Sequence, residues 1–164
     1  MKIRDVAALG GFFAMTAGAS MLGSNVIRRH PRKLWYRLLR KPSQTPPDWL
    51  FGAVWPVLYG LTAYSGYRVW RKRHQPGAKA ALGLWGAQLT FNAAWTPLFF
   101  GQHRSRVALI DLGLNLASVA GYAVRVFRVE KTAAILMAPY AGWLAFAGTI
   151  NAAVIRRNPQ WLAG

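Results

Sequence analysis

The sequence predicts an all-α integral membrane bundle of five transmembrane helices, built as one domain over residues 1–164. Three observations predict it. Five stretches lack Asp, Glu, Lys and Arg, or nearly so. Each has 18 to 24 residues, and a helix rising 1.5 Å per residue needs about 20 to cross a hydrocarbon core of roughly 30 Å. None alternates strictly, as barrel strands do. The alternative is a soluble bundle with unusually long buried helices.

Composition agrees. Apolar residues make up 54% and charged residues 15%, against about 25% charged in a soluble domain. The mean hydropathy is only +0.17, because the charges are concentrated between the stretches. A disordered basic tail is excluded by 13% aromatics. A disulfide scaffold is excluded because there is no Cys.

The first stretch, 6–27, follows Lys2 and Arg4 but exceeds the roughly 7–15 residues of a signal-peptide core, so it is expected to stay as a mature helix. Gly10, Ala14 and Gly18 stand four apart on it, a spacing that serves close packing inside the monomer or a dimer interface. The first connection, 28–48, holds seven basic residues. Within it Leu34 to Arg40 mixes apolar and basic residues at helical spacing, expected as a short interfacial helix with Trp35 and Tyr36 at headgroup level, or as an ordinary snorkelling loop. Pro42, Pro46 and Pro47 end it.

The second stretch, 49–67, places Trp55 and Tyr59 one turn apart. On the third, 80–102, Trp85, Gln88, Asn92, Trp95 and Phe99 form one face. The fourth, 107–124, repeats the small-residue spacing with Gly113, Ala117 and Gly121. It also carries Asp111, which is expected to pair structurally with Arg104 or Arg106. The fifth, 132–155, aligns Tyr140, Trp143, Ala147 and Asn151. Pro56, Pro97 and Pro139 should free the carbonyls of Gly52, Ala93 and Ile135 and bend their helices.

Of the eight Trp, Trp35, Trp49, Trp70 and Trp161 suit interface belts, while Trp55, Trp85, Trp95 and Trp143 lie deeper. Buried amides cost free energy in hydrocarbon unless partnered. The deep aromatic and amide faces therefore either pack as a hydrogen-bonded core or enclose a flat apolar ligand with a few polar groups. Metal chemistry is not expected, since His30, His74 and His103 lie far apart in connections. No P-loop or nucleophile elbow occurs, and four acids leave little room for paired-carboxylate catalysis. The net charge of +17 divides into ten basic residues on one membrane side and eleven on the other. It neither orients the chain nor marks a nucleic-acid groove; anionic headgroups of the lipid bilayer account for it.

The residues resemble the tryptophan-rich sensory protein and translocator protein (TspO/peripheral benzodiazepine receptor) family. The matching stretches begin with Trp35-Tyr36, Lys41-Pro42-Ser43 and Pro46-Pro47-Asp48-Trp49, followed by Phe51-Gly52-Ala53-Val54-Trp55-Pro56-Val57-Leu58-Tyr59. Gln88-Leu89-Thr90-Phe91-Asn92-Ala93-Ala94-Trp95, Pro97-Leu98-Phe99-Phe100-Gly101 and Ala108-Leu109-Ile110-Asp111-Leu112 come next. Pro139-Tyr140-Ala141-Gly142-Trp143-Leu144-Ala145-Phe146-Ala147 with Asn151 completes the order over essentially the whole chain. The resemblance implies a five-helix bundle in a bacterial cell envelope or a mitochondrial-type outer membrane, often a homodimer, with a pocket opening toward the first connection. It implies a receptor or carrier whose ligands are porphyrins such as protoporphyrin IX or haem, and in some members sterols or benzodiazepine-type drugs, with no obligatory cofactor. By motif position the pocket would use Tyr36, Trp55, Tyr59, Asn92, Trp95, Trp143 and Ala147. One alternative it implies is light-dependent porphyrin breakdown through Trp55 and Trp143. Another is a structural or regulatory membrane partner docking through the small-residue stripes. Two departures stand out. Gln44 replaces the family's usual first-connection Trp, and Asn151-Ala152-Ala153-Val154-Ile155-Arg156 lacks the Tyr of the proposed sterol motif.

Overall fold

The computed structural model describes residues 3–29 and 33–159, without the side chains of residues 24, 26–29, 33, 34 and 48. Trp161, His30 and Arg32 lie outside the described residues. The described residues form helices and no strand. In order these are α1 (Ile3–Arg29), α2 (Lys33–Leu38), α3 (Asp48–Arg71), α4 (Ala78–Thr96), a π-helical turn (Pro97–Gly101), α5 (Ser105–Phe127), α6 (Lys131–Leu136) and α7 (Ala138–Arg157).

Among the described residues, three segments are long and apolar enough to cross a membrane: Ile3–Gly23, Ser105–Phe127 and Lys131–Arg157. The stretches expected as the second and third spans are helical, as α3 and α4. They fall short on composition because their Trp, Tyr, Pro and amide residues lower the mean hydropathy. Of these, Tyr67, Trp85, Gln88 and Asn92 are buried against neighbouring helices, while Trp49, Pro56 and Tyr64 are exposed.

Helix α1 packs on α3 and α4, α4 on α5, and α5 on α7. The closest approach is at Gly66 of α3. A Cβ there would lie 2.6 Å from the Trp85 ring and 2.8 Å from Phe12. Only hydrogen fits between them. Trp85 meets Phe12 edge-on at 4.7 Å and donates its indole N–H to the Thr62 carbonyl at 2.9 Å. This contact pins α1, α3 and α4 together at one end of the bundle.

Two prolines reshape their helices more sharply than a bend. Pro139 divides the expected fifth span into α6 and α7 around Met137. The Met137 N–H turns to the Ala134 carbonyl at 3.1 Å. The Ala133 carbonyl, which a continuous helix would pair with Met137, instead accepts the Ser65 hydroxyl at 2.7 Å. Ser65 also shares a 2.7 Å hydrogen bond with Tyr122. A neighbouring helix thus replaces the lost backbone bond, as hydrocarbon burial requires. At Pro97 the expected third span passes into the π turn, closed by the Gln102 N–H on the Pro97 carbonyl at 2.9 Å. His103 follows with φ 57°, a left-handed conformation His tolerates better than most residues. Its ring stacks on Trp35 at 4.2 Å.

The expected helix in the first connection is present as α2. Trp35 and Tyr36 are half-buried, and both rings turn onto Phe99 of the π turn. The α1 stripe does not pack inside the monomer. Gly10 and Gly18 have nothing within 4 Å of a Cβ, and Ala14 is exposed. The α5 stripe divides: Gly113 is open, while Gly121 approaches Leu84 at 3.4 Å. Asp111 is buried, yet among the described residues no basic side chain pairs with it; Arg104 and Arg106 are exposed. The expected pair fails because α5 turns its Asp111 face onto the bundle and those arginines outward.

The buried ion cluster lies elsewhere. Glu130, in the α5–α6 connection, receives Arg68 at 2.9 Å and Lys72 at 2.7 Å. The hydrogen bond from Lys72, and then the one from Arg68, hold its carboxyl below the usual glutamate value of 4.5, against the opposing effect of burial. A lowered carboxyl pKa contributes stability above the unfolded value, and that stability is lost as pH falls through the folded one. Thermal stability in detergent should therefore fall as pH is lowered below the usual glutamate value, and Glu130→Gln should flatten that acid limb. Gly66→Ala should cost about 1–3 kcal/mol by overpacking. Gly10→Ala, with open space around it, should be neutral or mildly stabilising in the same unfolding assay.

Candidate functional site

Toward the end of the bundle that carries the first connection, the helices part and enclose a cavity of about 880 Å³. Its lining reaches from Phe13, Gly60 and Asn115 at mid-bundle to Tyr36 and Pro46 in the first connection. Exposed residues of α1 and α3, among them Met21, Gly52 and Pro56, also line it, so it reaches the outside between those two helices.

The walls are aromatic. Trp55 stacks on Tyr59 one turn later, with centroids 5.3 Å apart and planes 27° apart. Trp143 of α7 meets Trp55 at 6.4 Å and 81°, forming a corner. Opposite them Trp95 stacks on Phe99 at 5.0 Å, and the π turn also brings Phe100 edge-on to Trp95. An α-helical continuation would rotate adjacent side chains by about 100°. The wider π turn lets Phe99 and Phe100 both face the cavity.

The floor is polar and largely self-satisfied. The Tyr59 hydroxyl donates to Asn92 Oδ1 at 2.6 Å. Asn92 Nδ2 donates to the Tyr140 hydroxyl at 2.8 Å, and Asn115 Nδ2 donates to the same oxygen at 3.1 Å. Ser20 of α1 bonds Tyr59 as well. Five helices thus meet in one chain of hydrogen bonds. Above it, several buried polar atoms find no partner among the described residues: the indole nitrogens of Trp95 and Trp143, Asn115 Oδ1, and both amide atoms of Asn151. All four residues line the cavity. Such groups cost free energy unless something in the cavity pairs with them. The set offers N–H donors and carbonyl acceptors but no charge.

All seven residues singled out by the resemblance, Tyr36, Trp55, Tyr59, Asn92, Trp95, Trp143 and Ala147, line this cavity. The predicted face of α4 divides, however. Asn92, Trp95 and Phe99 line the cavity, whereas Trp85 and Gln88 do not. Trp85 packs under Gly66, and Gln88 is fully buried with both amide atoms unpartnered among the described residues. Sequence reasoning missed the α1 wall, from Phe13 to Gly23, which carries no aromatic or amide periodicity to announce it. It also missed Asn115, although a lone amide in a charge-free stretch is the same signal that found Asn92 and Asn151. No cluster of three metal-ligating side chains occurs among the described residues.

The sequence profile of the TspO/MBR family matches residues 12–157. The chain is 39% identical to the translocator protein of Homo sapiens over 161 residues, covering 97% of this chain and 94% of that protein. It is 39% identical over 127 residues to protein CrtK of Rhodobacter capsulatus, covering 76% and 79%. The tryptophan-rich sensory protein of Cereibacter sphaeroides is 36% identical over 124 residues, covering 76% and 77%.

Tyr140 accepts from two helices, so Tyr140→Phe should destabilise the protein by about 1–3 kcal/mol, measured by thermal unfolding in detergent. Tyr59→Phe, which frees Asn92 and Ser20 beside the open cavity, should cost less.

Proposed function

Because the chain belongs to the TspO/MBR family of membrane proteins, we propose that it is a five-span receptor or carrier for porphyrins, including protoporphyrin IX and haem. In this reading α1, α3, α4, α5 and the α6–α7 pair cross the bilayer. At 1.5 Å per residue, α3 and α4 reach about 36 Å and 28 Å, enough for the crossing. Their amides Gln88 and Asn92 are buried, where hydrocarbon does not meet them.

The observation that carries the proposal is the cavity. Its 880 Å³ falls within the range that holds cofactor-sized ligands, and its walls are rich in aromatic rings. A planar tetrapyrrole offers stacking area to Trp55, Trp95 and Trp143. The unpartnered indole N–H and amide groups are the polar groups beside the bound ring. Gln44 is exposed on the first connection, so the rim there is more open than an indole would make it. Sterols or benzodiazepine-type ligands belong to the same proposal as further occupants of the cavity. A homodimer through the open α1 stripe belongs to the same proposal.

A second reading rests on the Trp55–Trp143 corner. Two indoles in ring contact beside a bound, photoexcited porphyrin suit light-dependent porphyrin breakdown, with the chemistry residing in the ligand.

Protoporphyrin IX should quench the intrinsic Trp fluorescence saturably. Trp55→Phe with Trp143→Phe should weaken binding about tenfold or more through lost ring contact, and Ala147→Phe should block it by filling the cavity. Unchanged affinity in all of these would place the porphyrin elsewhere. Under illumination, faster bleaching by the wild type than by the double variant would support the second reading; equal rates would remove it.

A further inference from the structure

Among the described residues, no charged side chain lines the cavity. A carboxylate carried to its floor would lose water and gain no cation, which is among the costliest burials in a protein. Porphyrin acids nevertheless carry carboxylates, so the cavity must leave them somewhere. Among the described side chains, the rim offers charge.

At the rim, Tyr36 lines the cavity and Lys41 Nζ lies 4.0 Å from the centre of its ring. Lys41 is held there by its main chain. Arg157 Nη1 donates to the Lys41 carbonyl at 3.0 Å, bringing a second cation to the same point. The preceding residue is clamped on both sides: the Arg40 N–H donates to Asn158 Oδ1 at 2.9 Å, and Asn158 Nδ2 donates to the Arg40 carbonyl at 3.0 Å. Asn158 is itself buried and tied to the Val154 carbonyl at 2.8 Å. Immediately after Lys41, the Thr45 N–H closes a turn on the Pro42 carbonyl at 3.0 Å, delivering Pro46 to the cavity wall. The three carboxylates with described side chains are Asp5, Asp111 and Glu130, and none pairs with Lys41 or Arg157. Glu130 is engaged with Arg68 and Lys72 at the other end of the bundle.

We infer that Lys41 and Arg157 form an anion-selecting rim, so that the ligand is an amphipathic acid whose flat apolar body enters the cavity while its carboxylates stay at these two cations. The inference rests on the porphyrin reading and adds to it the direction of entry and a preference for free acid over ester. The Lys41 ammonium needs little movement, because it can keep the Tyr36 ring face while turning toward a carboxylate. The rim has two edges, the end of α7 and the hydrogen-bonded turn that contains Gln44.

The test compares protoporphyrin IX with its dimethyl ester on the full chain in nonionic detergent, by Trp quenching. The two differ in charge at the carboxyl groups and share the ring. Wild type should bind the acid at least about tenfold more tightly, the effect of one charge-assisted contact. Lys41→Gln with Arg157→Gln should abolish that preference and leave ester affinity within about twofold, which also verifies the fold. Lys41→Arg should retain the preference. Added salt should narrow it, since the rim is partly exposed. Equal affinities in wild type, or a preference that survives in the double variant, would overturn the rim while leaving the porphyrin reading intact. Failure of both compounds to bind wild type would contradict the porphyrin reading, and the rim with it.

Discussion

Everything at the centre of this bundle depends on one requirement: a polar group away from water must find its partner within the protein or its ligand. The hydrogen-bonded chain from Tyr59 through Asn92 and Tyr140 to Asn115 meets that requirement at mid-bundle. It joins α3, α4, α7 and α5, and Ser20 brings in α1. Because these five helices must converge on it, their positions are set at that level. On one side of it, the Gly66–Trp85–Phe12 contact draws α1, α3 and α4 to the minimum separation. On the other side no comparable contact among the described residues holds α1 and α3 together, and the cavity opens. The cavity is thus the consequence of tight packing at one end and bulky rings at the other.

The same requirement bears on the atoms left without a partner among the described residues. Ser65 shows the general solution, since it replaces a backbone bond that the break before Pro139 removes. Where the protein supplies no such replacement, at Trp95, Trp143, Asn115 and Asn151, the atoms border the cavity. Arg68, Gln88, Ser105 and Asp111 are exceptions: each has a buried atom without a partner among the described residues, and none borders the cavity. Nothing in the structure accounts for Gln88. The charges obey a related division. Glu130 gathers two cations at one end, while Lys41 and Arg157 at the other have no carboxylate among the described side chains.

Much of this was legible in the sequence, because hydrocarbon makes composition informative. Charge-free stretches became helices, and deep Trp and Asn positions became cavity walls. What stayed hidden is instructive. Helical spacing placed Trp85 and Gln88 on the same face as Asn92, but a face has two ends, and only depth separates core from cavity. The α1 wall is built from Ala, Ser, Gly, Thr and Phe, whose role is to be small or merely apolar, so periodicity does not mark it. Prolines announced distortion without saying whether a helix would bend, break or widen into a π turn. That outcome depends on neighbours such as Ser65, which lie far away in sequence. Asp111 was expected beside Arg104 or Arg106 by proximity along the chain, but the rotation of α5 decides which side chains face inward.

The central claim is that the ligand's flat body occupies the space between Trp55, Trp95 and Trp143. An experimental structure of the protein bound to protoporphyrin IX tests it most directly. The account predicts the macrocycle inside the cavity, stacked against those indoles, with its carboxylates at the Tyr36 and Lys41 edge. A macrocycle on the lipid-facing surface of α1 or α5, with the cavity unchanged, would contradict it.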